Sequence, residues 1–212
     1  YDACRKIAIL TSLAYGQQVD YEDIYTEGIT KITAEDFKYA KALGAAIKIF
    51  GTSRKEGNKL YAMVAPQMIQ ADNPLYAVND VFNAIFVHGN VLGDAMFYGS
   101  GAGKLPTASA VVADVVDEAK HLNRNIMTMW KEEKLQLEDK ADSKRRFFVR
   151  IKGKEEELVP QLKESYGEIE VVKVPELEGE FGFVTPVMME GDYETRSKLY
   201  KEQIVHMIRI QD

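Results

Sequence analysis

Two short stretches of the sequence bring together residue types that could do chemistry. Asp2 and Lys6 are four positions apart, so on a helix they share one face as a carboxylate–amine pair. Further along, FYGSGAGKLPTAS places three glycines alternately, at Gly99, Gly101 and Gly103. Because glycine lets a backbone approach another molecule closely, the second stretch predicts a loop that lies against a ligand.

The sequence around Lys6 predicts a helix over residues 2–16, with Gly16 as its C-terminal stop. Lys6 falls on a side of this helix with mainly apolar neighbours, among them Leu10. A lysine turned towards the interior is costly unless it is paired or functional, so we expect an amine suited to general acid–base work. The spacing leaves one alternative open, which is an exposed and purely structural ion pair with Asp2.

The glycine-rich loop matches neither of the two common nucleotide-phosphate motifs. A P-loop needs Lys followed by Ser or Thr, but Lys104 is followed by Leu105. A dinucleotide fingerprint needs a third glycine at a position that Lys104 or Pro106 holds here. What remains is a loop leading into a helix predicted over residues 106–122, with Pro106 in its first position and free N–H groups at its N-terminus. A tight structural turn is the alternative.

Composition and charge limit the class of protein. The chain has 212 residues, 46% of them hydrophobic and 28% charged, which is typical of a globular protein. A net charge of −6 argues against a nucleic-acid partner, and no apolar run reaches the roughly 20 residues of a membrane helix. The single cysteine, Cys4, excludes an internal disulfide. No metal site is predicted, because His88, His121 and His206 have no second ligand at metal spacing.

Hydrophobic patterning predicts an α+β fold that mixes a sheet with helices. Thr33 is the expected N-cap of a helix over residues 32–44, with Asp36 in the capping-box position. A hairpin with a turn near residues 53–58 should follow, and then a short helix or turn followed by paired strands within residues 79–101.

The C-terminal part predicts a module of its own. Residues 146–212 have the order β-α-β-β-α-β, which is that of a ferredoxin-like fold. The charge-rich residues 131–145 are interpreted as a linker. The expected domains are therefore residues 1–130 and residues 146–212.

Together, these stretches resemble one family, the homoserine dehydrogenases. The resemblance is carried by DACRKIAIL, by EGITKIT with the acidic helix after it, and above all by NAIFVHGNVLGDAMFYGSGAGKLPTASAVVADVVD. It runs from residue 2 to about residue 122. The C-terminal module is similar to the ACT regulatory domain that many bacterial members carry.

The resemblance implies an NAD(P)-dependent interconversion of L-homoserine and L-aspartate 4-semialdehyde, on the route to threonine and methionine. It implies that Lys6 donates or accepts the proton of the substrate oxygen, with Asp2 beside it. Four residues of the loop would then lie against the nicotinamide end of the cofactor and the substrate: Gly99, Gly101, Ala102 and Gly103.

The resemblance also implies that the family's main dinucleotide-binding domain precedes Tyr1, so we expect this chain to be inactive alone. It implies a cytoplasmic homodimer or tetramer, with no nucleic-acid or membrane partner. The C-terminal module has Lys152-Gly153-Lys154 where ACT domains commonly carry an Asp-x-Pro-Gly turn beside their effector site. Binding of an amino-acid effector such as threonine and a role in assembly both stay open, as does a non-catalytic amino-acid-sensing protein.

Overall fold

In the computed structural model, which describes residues 1–127 and 129–211, the first helix follows the prediction. α1 spans Asp2–Tyr15 and ends at Gly16, whose φ of 66° is the left-handed conformation that glycine adopts readily at a helix end. Two short strands follow, β1 at Gln17–Gln18 and β2 at Tyr25–Thr26.

The predicted capping box at the second helix is confirmed. α2 spans Ala34–Ala42 with Thr33 as its N-cap. The Thr33 backbone N–H donates to the Asp36 carboxylate at 2.8 Å, which satisfies one of the N–H groups that the start of a helix leaves without a partner.

The predicted hairpin is present, but its turn is tighter than expected. β3, Ala45–Glu56, pairs antiparallel with β4, Lys59–Gln70, along its whole length. Only Gly57 and Asn58 connect them, and the φ of 59° at Gly57 suits a two-residue turn. The polar residues 53–56, which read as turn residues in the sequence, continue the strand instead.

Residues 71–129 form one compact unit, and residues 1–70 with 130–211 form another. In the smaller unit, the predicted strand pair is confirmed as antiparallel β5, Phe82–Gly89, and β6, Gly93–Ser100. α3 then spans Lys104–Lys120. It begins before Pro106, so this proline is not in the first helical position as predicted. The first turn tolerates it because the N–H groups there have no partner within the helix.

The residues interpreted as a linker pack into the larger unit. β7, Lys131–Lys134, pairs in parallel with β1. Leu135 and Leu137 pack against the cluster formed by α1 and β4, and Ser143 is fully buried. Most of the charged side chains face solvent, although that of Arg145 is only 12% exposed, so a sequence dense in charge was compatible with an ordered, partly packed segment. The two compact units therefore do not coincide with the predicted boundaries.

The predicted order of elements after residue 145 is present, with one short extra strand. The elements are β8 at Lys144–Lys152, α4 at Glu155–Tyr166, β9 at Glu170–Val172, β10 at Glu180–Val184, β11 at Met188–Met189, α5 at Glu190–Ser197 and β12 at Ile204–Gln211.

These strands continue the sheet of the first 70 residues. β12 pairs in parallel with β4, with Arg209 opposite Gln67, and antiparallel with β8. The path β2-β4-β12-β8-β10-β9 thus forms one mixed sheet, to which β3 and β11 also pair. Successive residues of β8 face opposite sides: Phe147 packs with α4 and α5, and Phe148 packs with α2. The mixed sheet with helices is the predicted fold class.

A buried polar network ties α2 to the sheet. Arg150 of β8 donates to Glu180 at 2.8 Å, to Asp36 at 3.2 Å and to the Thr33 hydroxyl at 3.0 Å. Asp36 is 0% exposed and also forms a 2.9 Å hydrogen bond with His206 of β12. Burial raises the pKa of Asp36, but the hydrogen bonds with His206, the Thr33 backbone and Arg150 outweigh burial and hold that pKa below its ordinary value.

A second buried guanidinium lies on the opposite face of the sheet. Arg209 of β12 is 2% exposed and donates to Glu190, at the start of α5, at 2.7 Å. It also donates to Glu27, which follows β2, at 2.8 Å. Both arginines therefore bind one carboxylate from the first 70 residues and one from the C-terminal segment.

We expect Asp36→Asn to lower the free energy of unfolding at pH 7 by about 3 kcal/mol, because it leaves Arg150 short of a buried carboxylate. The folded-state pKa of Asp36 lies below its ordinary 3.8, so the stabilisation is present above that value and is lost as pH falls through the folded pKa. The difference between wild type and variant should shrink below about pH 4 in urea unfolding curves.

Glu35→Gln is the matched control, since Glu35 is the adjacent residue and its carboxylate lies 3.9 Å from Arg150 at a partly exposed position. A much smaller change is expected there. Equal stability of the Asp36→Asn variant and wild type at pH 7 would contradict the role of the network.

Candidate functional site

The predicted amine–carboxylate pair forms at the start of α1, in the larger unit. Lys6 Nζ lies 2.7 Å from Asp2 Oδ2, and the two side chains are 66% and 83% exposed. The hydrogen bond from Lys6 and the charge of its ammonium hold the pKa of Asp2 below its ordinary value. Asp2 also stands in the first helical turn, where the helix dipole favours a carboxylate.

The expectation that Lys6 turns towards the interior is wrong for this chain. The buried face of α1 is formed by other positions, among them Cys4 and Ala8. Lys6 shares the exposed side with Ile9 and Leu13, which are themselves exposed. The apolar neighbours therefore do not mark a core. They leave the amine accessible on a partly apolar surface.

The glycine loop includes the end of β6, with Gly99, and the residues before α3, in the smaller unit. Gly103 is the N-cap of α3 with φ 116° and ψ 156°, a conformation essentially confined to glycine. Ala102 is exposed beside it. The sequence thus predicted the loop and the helix after it, and it placed the third glycine where the backbone requires one.

The other two glycines differ from each other in their surroundings. A Cβ at Gly99 would meet no atom within 4 Å, so open space lies beside this part of the backbone. A Cβ at Gly101 would lie only 1.8 Å from Asn83 Nδ2. The Gly101 N–H donates to the Val81 carbonyl at 2.9 Å. A side chain at 101 would therefore displace the Asn83 amide, and no positive φ at this position calls for glycine.

The structure brings Asp2 and Lys6 together in one unit, and residues 99–103 together in the other. The three histidines have separate partners: His88 pairs with Asp94, His121 with Asp117, and His206 with Asp36. Among residues 1–127 and 129–211, no three His, Cys, Asp or Glu side chains are grouped so as to hold a metal ion. In the same ranges, no helix has the length and apolar character needed to span a bilayer.

Comparison with known proteins assigns the first half of the chain to one family. The family model described as homoserine dehydrogenase matches residues 1–116, which include Asp2, Lys6 and the whole glycine loop. The homoserine dehydrogenase of Bacillus subtilis is 42% identical over 125 residues, which are 59% of this chain and 29% of that protein. The Helicobacter pylori homoserine dehydrogenase is 37% identical over 150 residues, 71% of this chain and 36% of that protein.

Solved structures extend the similarity to the whole chain. The homoserine dehydrogenase of Thiobacillus denitrificans has a TM-score of 0.84 and 26% identity, covering 100% of this chain and 53% of that one. The Staphylococcus aureus homoserine dehydrogenase at pH 7.0 has a TM-score of 0.76 and 29% identity, with the same coverage. The chain thus spans about half the length of these solved relatives.

The match defines a class of oxidoreductases with a mixed α/β fold. The chain belongs to the homoserine dehydrogenase family.

Asn83 is the residue at this site that the sequence did not single out. It belongs to no catalytic motif, and an asparagine in a strand is commonly only a polar surface position. The signal that could have identified Asn83 is the register of the hairpin. In that register Asn83 stands opposite Gly99, a residue without a side chain.

We expect Gly103→Ala to destabilise the start of α3 by about 1–3 kcal/mol, because alanine strains the backbone at φ 116°. Amide hydrogen exchange over residues 104–108 should become faster. Gly99→Ala is the matched control: a Cβ there meets no atom within 4 Å, so exchange should stay close to wild type. Equal effects of both changes would contradict this account of the loop.

Proposed function

We propose that this chain supplies the substrate-handling part of an NAD(P)-dependent homoserine dehydrogenase, which interconverts L-homoserine and L-aspartate 4-semialdehyde. The observation that carries the proposal is the Asp2–Lys6 pair on an exposed helix face, inside the stretch that the family model matches. Because the chain spans 53% of the solved relatives, we propose the activity for a polypeptide in which these residues are joined to a dinucleotide-binding segment.

Lys6 handles the proton of the substrate oxygen in this proposal. As the aldehyde is reduced, the ammonium donates a proton to the oxygen that becomes the hydroxyl of homoserine. In the opposite direction, the neutral amine accepts that proton. The Asp2 carboxylate, 2.7 Å away, accepts a hydrogen bond from the amine and holds it at the start of α1.

The glycine loop is the proposed contact surface for the reacting ends of cofactor and substrate. NAD(P)(H), when bound, supplies or takes up the hydride. Open space beside Gly99 supports a close approach of a flat ring to the backbone at residues 99–103. The contribution of these residues is to orient the reacting atoms and to exclude water, which can account for a large part of the acceleration.

The C-terminal segment is the proposed regulatory part. Its β-α-β-β-α-β order supports an ACT-like domain, with an amino acid such as threonine as effector. We further propose a cytoplasmic homodimer or tetramer.

Titration of the 212-residue chain with threonine and, separately, with NADPH tests this division of roles. Tight binding of threonine alone would favour an amino-acid-sensing protein.

A chimera tests the activity. The part of the Bacillus subtilis homoserine dehydrogenase that precedes its matching region is joined to this chain, and homoserine-dependent formation of NADPH or NADH is followed. We expect activity in the chimera and none in the 212-residue chain. Lys6→Ala should lower kcat by at least about 100-fold, because the proton then has no positioned donor or acceptor.

Lys38→Ala is the control for this change, since Lys38 is an exposed lysine of α2 outside the proposed site. It should leave kcat unaltered. An active chimera in which Lys6→Ala keeps a near-normal kcat would remove Lys6 from the proposed role.

A further inference from the structure

One side chain, that of Asn83, lies beside the backbone of the glycine loop at Gly101. Asn83 of β5 stands directly opposite Gly99 of β6 in the antiparallel register. Gly101 turns its missing side chain towards Asn83, whereas a Cβ at Gly99 would meet no atom within 4 Å. At Gly101 the fit is close, since a Cβ would lie 1.8 Å from Asn83 Nδ2 and 2.6 Å from its Cγ.

The same side chain shares a hydrogen-bond acceptor with the loop. The Val81 carbonyl accepts the Gly101 N–H at 2.9 Å and Asn83 Nδ2 at 3.4 Å. The amide of Asn83 thus lies over Gly101 and is held at the carbonyl that fixes Gly101. Displacement of either group changes the surroundings of the other.

We propose that Asn83 is a positioning residue for the glycine loop, and that its side-chain amide fixes the backbone of residues 99–103 against which the reacting ends of cofactor and substrate lie. The consequence for catalysis rests on the proposed function. The fixing of the loop rests only on contacts within the hairpin. Asn83 is exposed, so its substitution removes no part of a hydrophobic core.

The loop-fixing step is tested in the 212-residue chain by NMR measurement of amide hydrogen exchange. Asn83→Ala should speed exchange at Gly101 by about tenfold or more, since the hydrogen bond to Val81 loses the group that covers it. Asn83→Asp keeps the shape but loses the donor, and so separates packing from hydrogen bonding. Asn90→Ala, in the exposed turn between β5 and β6, is the matched control and should change nothing.

The contact itself is tested by a double-mutant cycle. Gly101→Ala displaces the Asn83 amide, so adding Asn83→Ala to it should change exchange in the loop far less than Asn83→Ala does alone. Additive effects of the two changes, or unaltered exchange in the Asn83→Ala variant, would overturn the proposal.

The catalytic consequence is measured in the active chimera. Asn83→Ala should lower kcat by about tenfold while KM for homoserine and for the dinucleotide stays within about threefold, because the change misplaces reacting atoms more than it weakens binding. An unchanged kcat alongside faster exchange would overturn the catalytic part. Amide hydrogen exchange in the 212-residue chain tests whether Asn83 fixes the loop, and this test does not need an active chimera. Failure of the proposed function can therefore be distinguished from failure of the proposed role of Asn83.

Discussion

Two buried arginines on opposite faces of one sheet make the two ends of this chain depend on each other. A buried guanidinium is costly unless carboxylates neutralise it and accept its hydrogen bonds. Arg150 has Asp36 from α2 and Glu180 from β10, and Arg209 has Glu27 and Glu190. Each arginine comes from the C-terminal segment and needs a carboxylate from the first 70 residues.

The two arginine–carboxylate networks lie on either side of the parallel pairing of β4 with β12. This pairing is therefore the central junction of the larger unit. The pairing brings Arg209 beside β4, and β8, which carries Arg150, lies on the other side of β12. α2 is then held by Asp36 over the same sheet, and α1 packs on β4 through Cys4 and Ala8. The proposed proton-transfer group, Lys6, is therefore supported by a helix whose underlying sheet includes the C-terminal segment.

Local signals in the sequence predicted local structure well. Gly16 ended α1, Thr33 with Asp36 capped α2, and the hydrophobic patterning of residues 79–101 predicted β5 and β6. In each case residues close in sequence interact with one another. The pairing of β12 with β4 joins residues far apart in the chain, and no local pattern encodes it. For the same reason, residues 131–145 read as a linker although Leu135 and Leu137 reach the core.

The candidate site shows the same limit. The spacing of Asp2 and Lys6 predicted their ion pair, but the side of α1 that is buried depends on β4, which sequence spacing could not reveal. Glycine spacing predicted the loop, whereas the close contact of Gly101 with the side chain of Asn83 comes from another strand. The match to the homoserine dehydrogenase family covers both features.

The most direct measurement is a crystal structure of the chimera with oxidised dinucleotide and homoserine bound. The account predicts Lys6 Nζ within about 2.6–3.2 Å of the homoserine hydroxyl oxygen, or joined to it through one water, with residues 99–103 beside the nicotinamide. A homoserine hydroxyl bound to other groups, with Lys6 paired only to Asp2, would contradict it.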